Sequence, residues 1–285
     1  MVIAVTGQKG QLGSEFKVLA KDYPQYQFLF TDKTDLDITN KDAVDAYFKN
    51  HSLDVLINCA AYTAVDKAES ESERAEAINH LAVRYLAEAC KVHGVKMVHI
   101  STDYVFDGKA SRPYKELDSP NPQGVYGQSK YAGEQALKRV NPFGSCIIRT
   151  SWLYSSFGHN FVKTMLCLGR EREAIKVVSD QLGSPTYAAD LAEAIMAIIP
   201  QLKNSTVETY HYANSGYCSW YEFATTIFDM KAIACDITPI KTSEYPTDAQ
   251  RPKYSVLDTS KIQKTFGLGI SNWQTSLQRC LQDLD

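Results

Sequence analysis

The stretch "VIAVTGQKGQLGSEFKVLAKD", residues 2–22, decides the fold. Five residues rich in β-branched side chains read as a buried strand, and an amphipathic run from Gln11 reads as a helix. Between them Gly7, Gly10 and Gly13 are spaced G-x-x-G-x-x-G, close to the dinucleotide fingerprint G-x-G-x-x-G but not identical to it. Glycines at a strand-to-helix turn let the backbone approach a pyrophosphate, while the helix N-terminus offers free N–H groups to it. Three glycines would equally suit a tight turn that binds nothing, so the stretch needs support from the rest of the chain.

Outward from it, the same alternation continues. "QFLFT" (27–31), "DVLINCA" (54–60), "KMVHIST" (96–102) and "SCIIRTSW" (145–152) read as buried strands. The stretches 40–50, 72–94 and 130–140 carry helical spacing. This predicts βαβ units: a Rossmann-type doubly wound parallel α/β sheet, with ligands at the carboxyl ends of its strands. Past residue 153 turn-rich segments interrupt the pattern. They predict a smaller C-terminal substrate-binding lobe over 154–285, with chain crossing back to the sheet of a dinucleotide-binding domain over 1–153.

Composition limits the function classes. The 285 residues are 44% hydrophobic and 22% charged, with a formal charge of −3 and no basic stripe. Nucleic acid is therefore not the expected partner. The first residues enter a strand pattern directly, and no apolar run is long enough to cross a bilayer, which points to a cytoplasmic protein away from membranes. Seven cysteines never form C-x-x-C, and six histidines never form H-x-x-x-H, so neither a disulfide framework nor a zinc site is expected.

Several residues fall where such a sheet binds ligands. Asp32 ends the second strand, 19 residues past Gly13, where a carboxylate can bond adenosine ribose hydroxyls. That favours NAD, while Lys33 beside it would tolerate a 2′-phosphate. Small residues follow the third strand in "NCAAYTAVDKAE" (58–69). Ser101, Thr102 and Asp103 follow the fourth. Next comes "VYGQSK" (125–130), with Tyr126 and Lys130 one helical turn apart; alone, that spacing is usually just one face of a helix.

Taken in order, "AAYTAVDKAES" (60–70), "STDYVFDG" (101–108), "YGQSKYAGE" (126–134), "RTSWLY" (149–154), "DQLGSPT" (180–186) and "RPKYSVLD" (251–258) resemble the extended short-chain dehydrogenase/reductase family. They are most similar to its branch that reduces dTDP-linked 4-keto sugars. The resemblance implies NAD(P)H-dependent reduction of the 4-keto group of dTDP-4-dehydro-L-rhamnose. Tyr126 would give the proton, with a phenol made more acidic by Lys130; Lys130 would also bond the nicotinamide ribose; Thr102 would polarise the keto oxygen. NADP(H) or NAD(H) would be contacted by Gly7, Gly10, Gln11, Leu12, Gly13, Asp32, Asp37, Ile38, Ala60, Ala61, Tyr62 and Thr63, besides Tyr126 and Lys130. The sugar nucleotide would meet Thr102, Asp103, Trp152 and Arg251, the last at its phosphates.

Some members of that branch bridge a homodimer through Mg²⁺ held by glutamates. Glu15 matches, but Ala189 stands at one expected ligand and the shorter Asp283 at another, so no metal is expected here. Two other readings stay open: a non-catalytic regulatory subunit like the β-subunit of methionine adenosyltransferase, and another nucleotide-sugar epimerase or reductase.

Overall fold

The computed structural model describes residues 1–284. Six parallel strands form one sheet: β1 (Val2–Thr6), β2 (Gln27–Thr31), β3 (Val55–Asn58), β4 (Lys96–Thr102), β5 (Cys146–Thr150) and β6 (Glu208–His211). Their order is β6-β5-β4-β3-β1-β2, and every pairing is parallel. β1 therefore lies between β2 and β3. The chain direction across the sheet reverses there, which opens a crevice at the carboxyl ends.

The strands are short and β-branched because both faces are covered. On one face α1 (Gln11–Leu19) packs with the later α6, Ala188–Ile198. Phe16, Leu191 and Ile195 are fully buried there against Ile3, Val5 and Ile57. On the other face lie α2 (Lys41–Asn50) and α3 (Ala82–His93). There Val44, Leu86 and Cys90 meet Leu56 and Met97. α1 has no side-chain cap at Gly10, so packing fixes its position rather than capping. Truncating a buried phenylalanine such as Phe16 costs about 3–5 kcal/mol. The glycine turn inherits its placement from that anchor.

Strand and helix placement follow the sequence reading, with two informative differences. The segment 72–94 is helical throughout, but it widens into a π-helical stretch at Ala77–Leu81. The next helix, α4, runs Val125–Val140, so it starts five residues before the apolar spacing becomes helical. Gly127 obscures that start, yet it is required. A Cβ there would lie 2.3 Å from the Tyr104 carbonyl oxygen, so glycine lets α4 press against the loop after β4.

The remaining elements form a third core. α5 (Phe161–Glu171), α7 (Trp220–Met230) and α9 (Trp273–Gln282) enclose Tyr154, Val162, Phe223 and Leu277. α8 (Ser260–Phe266) instead returns Ile262 and Phe266 to the sheet side, as β6 returns the chain to the sheet itself. All seven cysteines are free, five of them buried. No helix among the described residues is long and apolar enough to cross a membrane.

Candidate active site

A cavity of about 870 Å³ runs along the carboxyl edge of the sheet. The glycine turn forms one wall. Gly7 has φ +72°, and a Cβ on it would meet the Ala60 nitrogen at 2.8 Å; on Gly13 a Cβ would meet the Gly7 carbonyl oxygen at 2.3 Å. The turn is thus closed down to backbone on backbone. Gly7, Gly10, Gln11, Leu12 and Gly13 all line the cavity, at the N-terminus of a helix whose first N–H groups lack a side-chain cap. This cradle fits a dinucleotide diphosphate.

Asp32, Asp37, Ile38, Ala60, Ala61 and Thr63 line the same cavity. Tyr62 does not: it is buried, and its hydroxyl donates to Glu71 at 3.2 Å. Its backbone N–H donates to Asn79 Oδ1 at 2.9 Å, and Asn79 Nδ2 in turn donates to the Tyr62 carbonyl and to Ser129. Asn79 sits in the π-helical stretch and ties the loop after β3 to α4. Nothing in its local sequence marks that role.

Asp32 carries a partner that spacing did not reveal. Lys9, from the glycine turn, forms an ion pair with its carboxylate, and Thr34 donates to it at 2.6 Å. These contacts hold the Asp32 carboxyl below the usual range. Lys33, the lysine expected to ease a 2′-phosphate, is directed to Asp37 at 4.0 Å. The cation facing Asp32 is therefore Lys9.

Tyr126, Lys130, Thr102 and Asp103 converge on the far end of the cavity. Lys130 is almost fully buried, and its Nζ donates to the Ile100 carbonyl at 2.6 Å. Burial lowers its pKa to about 8, although Glu134 opposes the shift. Tyr126 differs from expectation. Its phenol is pushed up by burial, against a hydrogen bond to Thr102. Tyr126 is therefore a neutral phenol, able to donate. Thr102 donates to Asp103 Oδ1 at 3.0 Å and accepts from the Tyr104 N–H at 3.2 Å. Burial raises the Asp103 carboxyl to about 6, only partly offset by hydrogen bonds from Ser255 and Thr102.

Two aromatic residues wall this end. Trp152 has the uncommon φ of +46° for a residue with a bulky side chain, and its ring stacks on Trp220 at 3.4 Å with an interplanar angle of 6°. Both line the cavity. Trp220 comes from α7, nearly seventy residues away in sequence, and has no motif of its own. Arg251 lies at the rim, where Nη2 pairs with Asp66 at 2.7 Å and Nη1 donates to Tyr104 at 3.2 Å.

Away from this cavity, Glu15 is buried and bonded by Ser155 at 2.5 Å. Its pKa is raised by burial, and then by Asp283 and Asp190. The acids brought toward Glu15 are thus Asp283 and Asp190, with none at Ala189. Asp190 is already held by Asn214, Ser276 and Arg279, and Asp283 accepts from Tyr187 at 2.7 Å.

Comparison with known proteins agrees with this geometry. A family model described as the RmlD substrate binding domain matches residues 1–285. A dTDP-4-dehydrorhamnose reductase from Aggregatibacter actinomycetemcomitans is 44% identical over 286 residues, covering 97% of each chain. The crystal structure of a dTDP-4-dehydrorhamnose reductase from Clostridium acetobutylicum superposes with a TM-score of 0.94 at 42% identity, covering 99% of both chains. That of a dTDP-4-dehydrorhamnose reductase from Bacillus anthracis, in complex with NADP, gives 0.93 at 42% identity with the same coverage.

Proposed function

The chain belongs to the RmlD substrate binding domain family, and on that footing we infer that it reduces the 4-keto group of dTDP-4-dehydro-L-rhamnose to dTDP-L-rhamnose. NADPH or NADH is the reductant, and the step belongs to cytoplasmic nucleotide-sugar synthesis for cell-surface polysaccharide. The observation that carries this reading is one cavity joining a glycine cradle to Thr102, Tyr126 and Lys130.

A reduced nicotinamide supplies hydride to C4 of the sugar when bound. The chain supplies the rest. Gly7, Gly10 and Gly13 seat the diphosphate against the start of α1, and Asp32 meets the adenosine ribose. Thr102 holds and polarises the keto oxygen, where negative charge develops. Tyr126, kept protonated by burial, gives its proton to that oxygen. The phenolate left behind is stabilised by the Lys130 ammonium one turn away and regains its proton from solvent. Lys130 also bonds the nicotinamide ribose. Asp103 takes a sugar hydroxyl, Trp152 with Trp220 walls the ring, and Arg251 reaches the diphosphate from the rim. Residues 1–153 carry mainly the cofactor side, and 154–285 mainly the substrate lobe.

A regulatory subunit without catalysis would bind dinucleotide yet turn over nothing. An epimerase would retain its cofactor through purification and leave the overall redox state of the sugar unchanged. Incubating the protein with NADPH or NADH and a panel of dTDP- and GDP-linked 4-keto sugars separates these. Loss of reduced-nicotinamide absorbance with the dTDP-linked ketone supports the reductase. No turnover with any member of the panel contradicts it.

A further inference from the structure

One turn beyond Lys130, α4 carries Glu134, which is fully buried. Arg149 of β5, equally buried, pairs with it through two parallel bonds, Nε to Oε1 at 2.8 Å and Nη2 to Oε2 at 2.6 Å. Ser101 donates to Oε1 at 2.6 Å. Arg149 Nη1 has no hydrogen-bond partner among the described residues. An ion pair buried this deeply is a weak source of stability, because desolvation offsets most of the attraction. Its location suggests a different role.

Lys130 and Glu134 hold successive residues of β4: the first bonds the Ile100 carbonyl, the second the Ser101 hydroxyl. The next residue is Thr102. Arg149 stands directly opposite Ser101 in the β4–β5 register. α4, β4 and β5 are therefore locked together at the level just below the reacting groups. The groups that act on the Lys130 charge are few. Cys59 faces it from the end of β3, with a thiol that burial keeps neutral. His99 faces it from β4, with an imidazole that burial also keeps neutral. Tyr126 stands one turn back on the same helix, as a neutral phenol. Glu134 is the carboxylate of the group, and Arg149 from β5 is its counterion.

We propose that the Glu134–Arg149 pair is a positioning device for the reduction: by tying α4 to Ser101 of β4 and to β5 it holds Lys130, one turn away on α4, and Thr102, the next residue of β4, in place, with Glu134 as the negative charge beside Lys130. This rests on the roles given to Tyr126 and Lys130 above. Glu134 and Arg149 are positioning residues, since they act only through Lys130 and Thr102.

The test compares wild type with Glu134→Gln and with the double variant Glu134→Gln/Arg149→Met, by thermal melts, by the pH profile of kcat/KM, and by the pH dependence of NADPH binding read from its fluorescence. Glu134→Gln leaves Arg149 as an unpaired buried charge and lowers the melting temperature; the double variant removes both charges and recovers most of it. In both, the arm of the profiles that needs charged Lys130 moves to lower pH. A shift of about one unit cuts the protonated fraction near pH 8 by about fivefold. Should the single variant fail to fold, the double variant carries the test. Profiles in the double variant that coincide with wild type would reduce the pair to a structural role and overturn the proposal. If wild type showed no turnover, the reductase reading would fail separately. The pH dependence of NADPH binding would then decide the proposal, by shifting or by not shifting.

Discussion

Replacing Tyr126 by phenylalanine removes one oxygen from the candidate site and little else. The ring is half-buried and packs edge-on against Tyr104 at 5.5 Å, a contact that phenylalanine keeps. Thr102 loses the Tyr126 hydroxyl but retains Asp103 and the Tyr104 N–H. The structural loss is then one hydrogen bond, about 0.5–1.5 kcal/mol. For a chain of this size that amounts to a fall of a few degrees in melting temperature. The catalytic loss is much larger, because Tyr126 is the group assigned to give the proton. A positioned general acid contributes about 10²–10⁴-fold, so kcat falls by that factor, equivalent to about 3–5 kcal/mol of barrier. The assay is single-turnover oxidation of NADPH by the dTDP-linked ketone, with cofactor affinity measured separately by fluorescence. Affinity stays at the wild-type value because the phenol hydroxyl is assigned to the sugar oxygen. A variant whose kcat stays within about tenfold of wild type would remove Tyr126 from proton transfer.

Four further outcomes follow from the same geometry. Lys130→Met lowers the rate and weakens dinucleotide binding together, since one ammonium serves both; unchanged affinity and an unchanged pH profile would make Lys130 a helix residue only. Asp32→Ala moves preference toward NADPH by removing repulsion from the 2′-phosphate, whereas Lys9→Met moves it toward NADH by leaving Asp32 without its cation; binding titrations that respond to neither would place the ribose contact elsewhere. Asp103 binds its proton more tightly folded than unfolded, so its burden on stability grows as pH rises from about 4 to about 6; Asp103→Asn flattens that dependence while impairing sugar binding, and melts with an unchanged pH slope would contradict it. Assembly and activity do not depend on Mg²⁺, because Asp190 and Asp283 near Glu15 already have protein partners; a dimer that dissociates in EDTA and re-forms with Mg²⁺ would show the opposite.

Much of this was legible in the chain because it is written locally. The strand, glycine turn and helix of residues 2–22 are contiguous, and so are Tyr126 and Lys130; each pattern carries its own geometry. Periodicity failed where a tertiary contact overrode it. The helical spacing over 130–140 misses the start of α4 at Val125, where Gly127 lets the helix press against Tyr104. Tyr62 lies within a motif that lines the cavity, but its own side chain turns to Glu71. The partners that orient the site are distant in sequence: Lys9 on Asp32, Asn79 on the loop after β3, Trp220 on Trp152, Arg149 on Glu134. No spacing rule joins such pairs; only the folded sheet brings them together. The acidity of Tyr126 was misjudged for a related reason. A lysine one turn away suggests a more acidic phenol, but in the fold burial of the hydroxyl dominates and pushes it the other way.

Hydride transfer is the claim on which the rest depends, and it can be followed atom by atom. Nicotinamide-deuterated NADPH, incubated with dTDP-4-dehydro-L-rhamnose and the protein, yields a sugar nucleotide whose C4 is read by proton NMR. The account requires deuterium at C4 of dTDP-L-rhamnose, formed in step with NADP⁺, and its near-absence with Tyr126→Phe. A product without deuterium at C4, or none with wild type while NADPH stays bound and unoxidised, would contradict it.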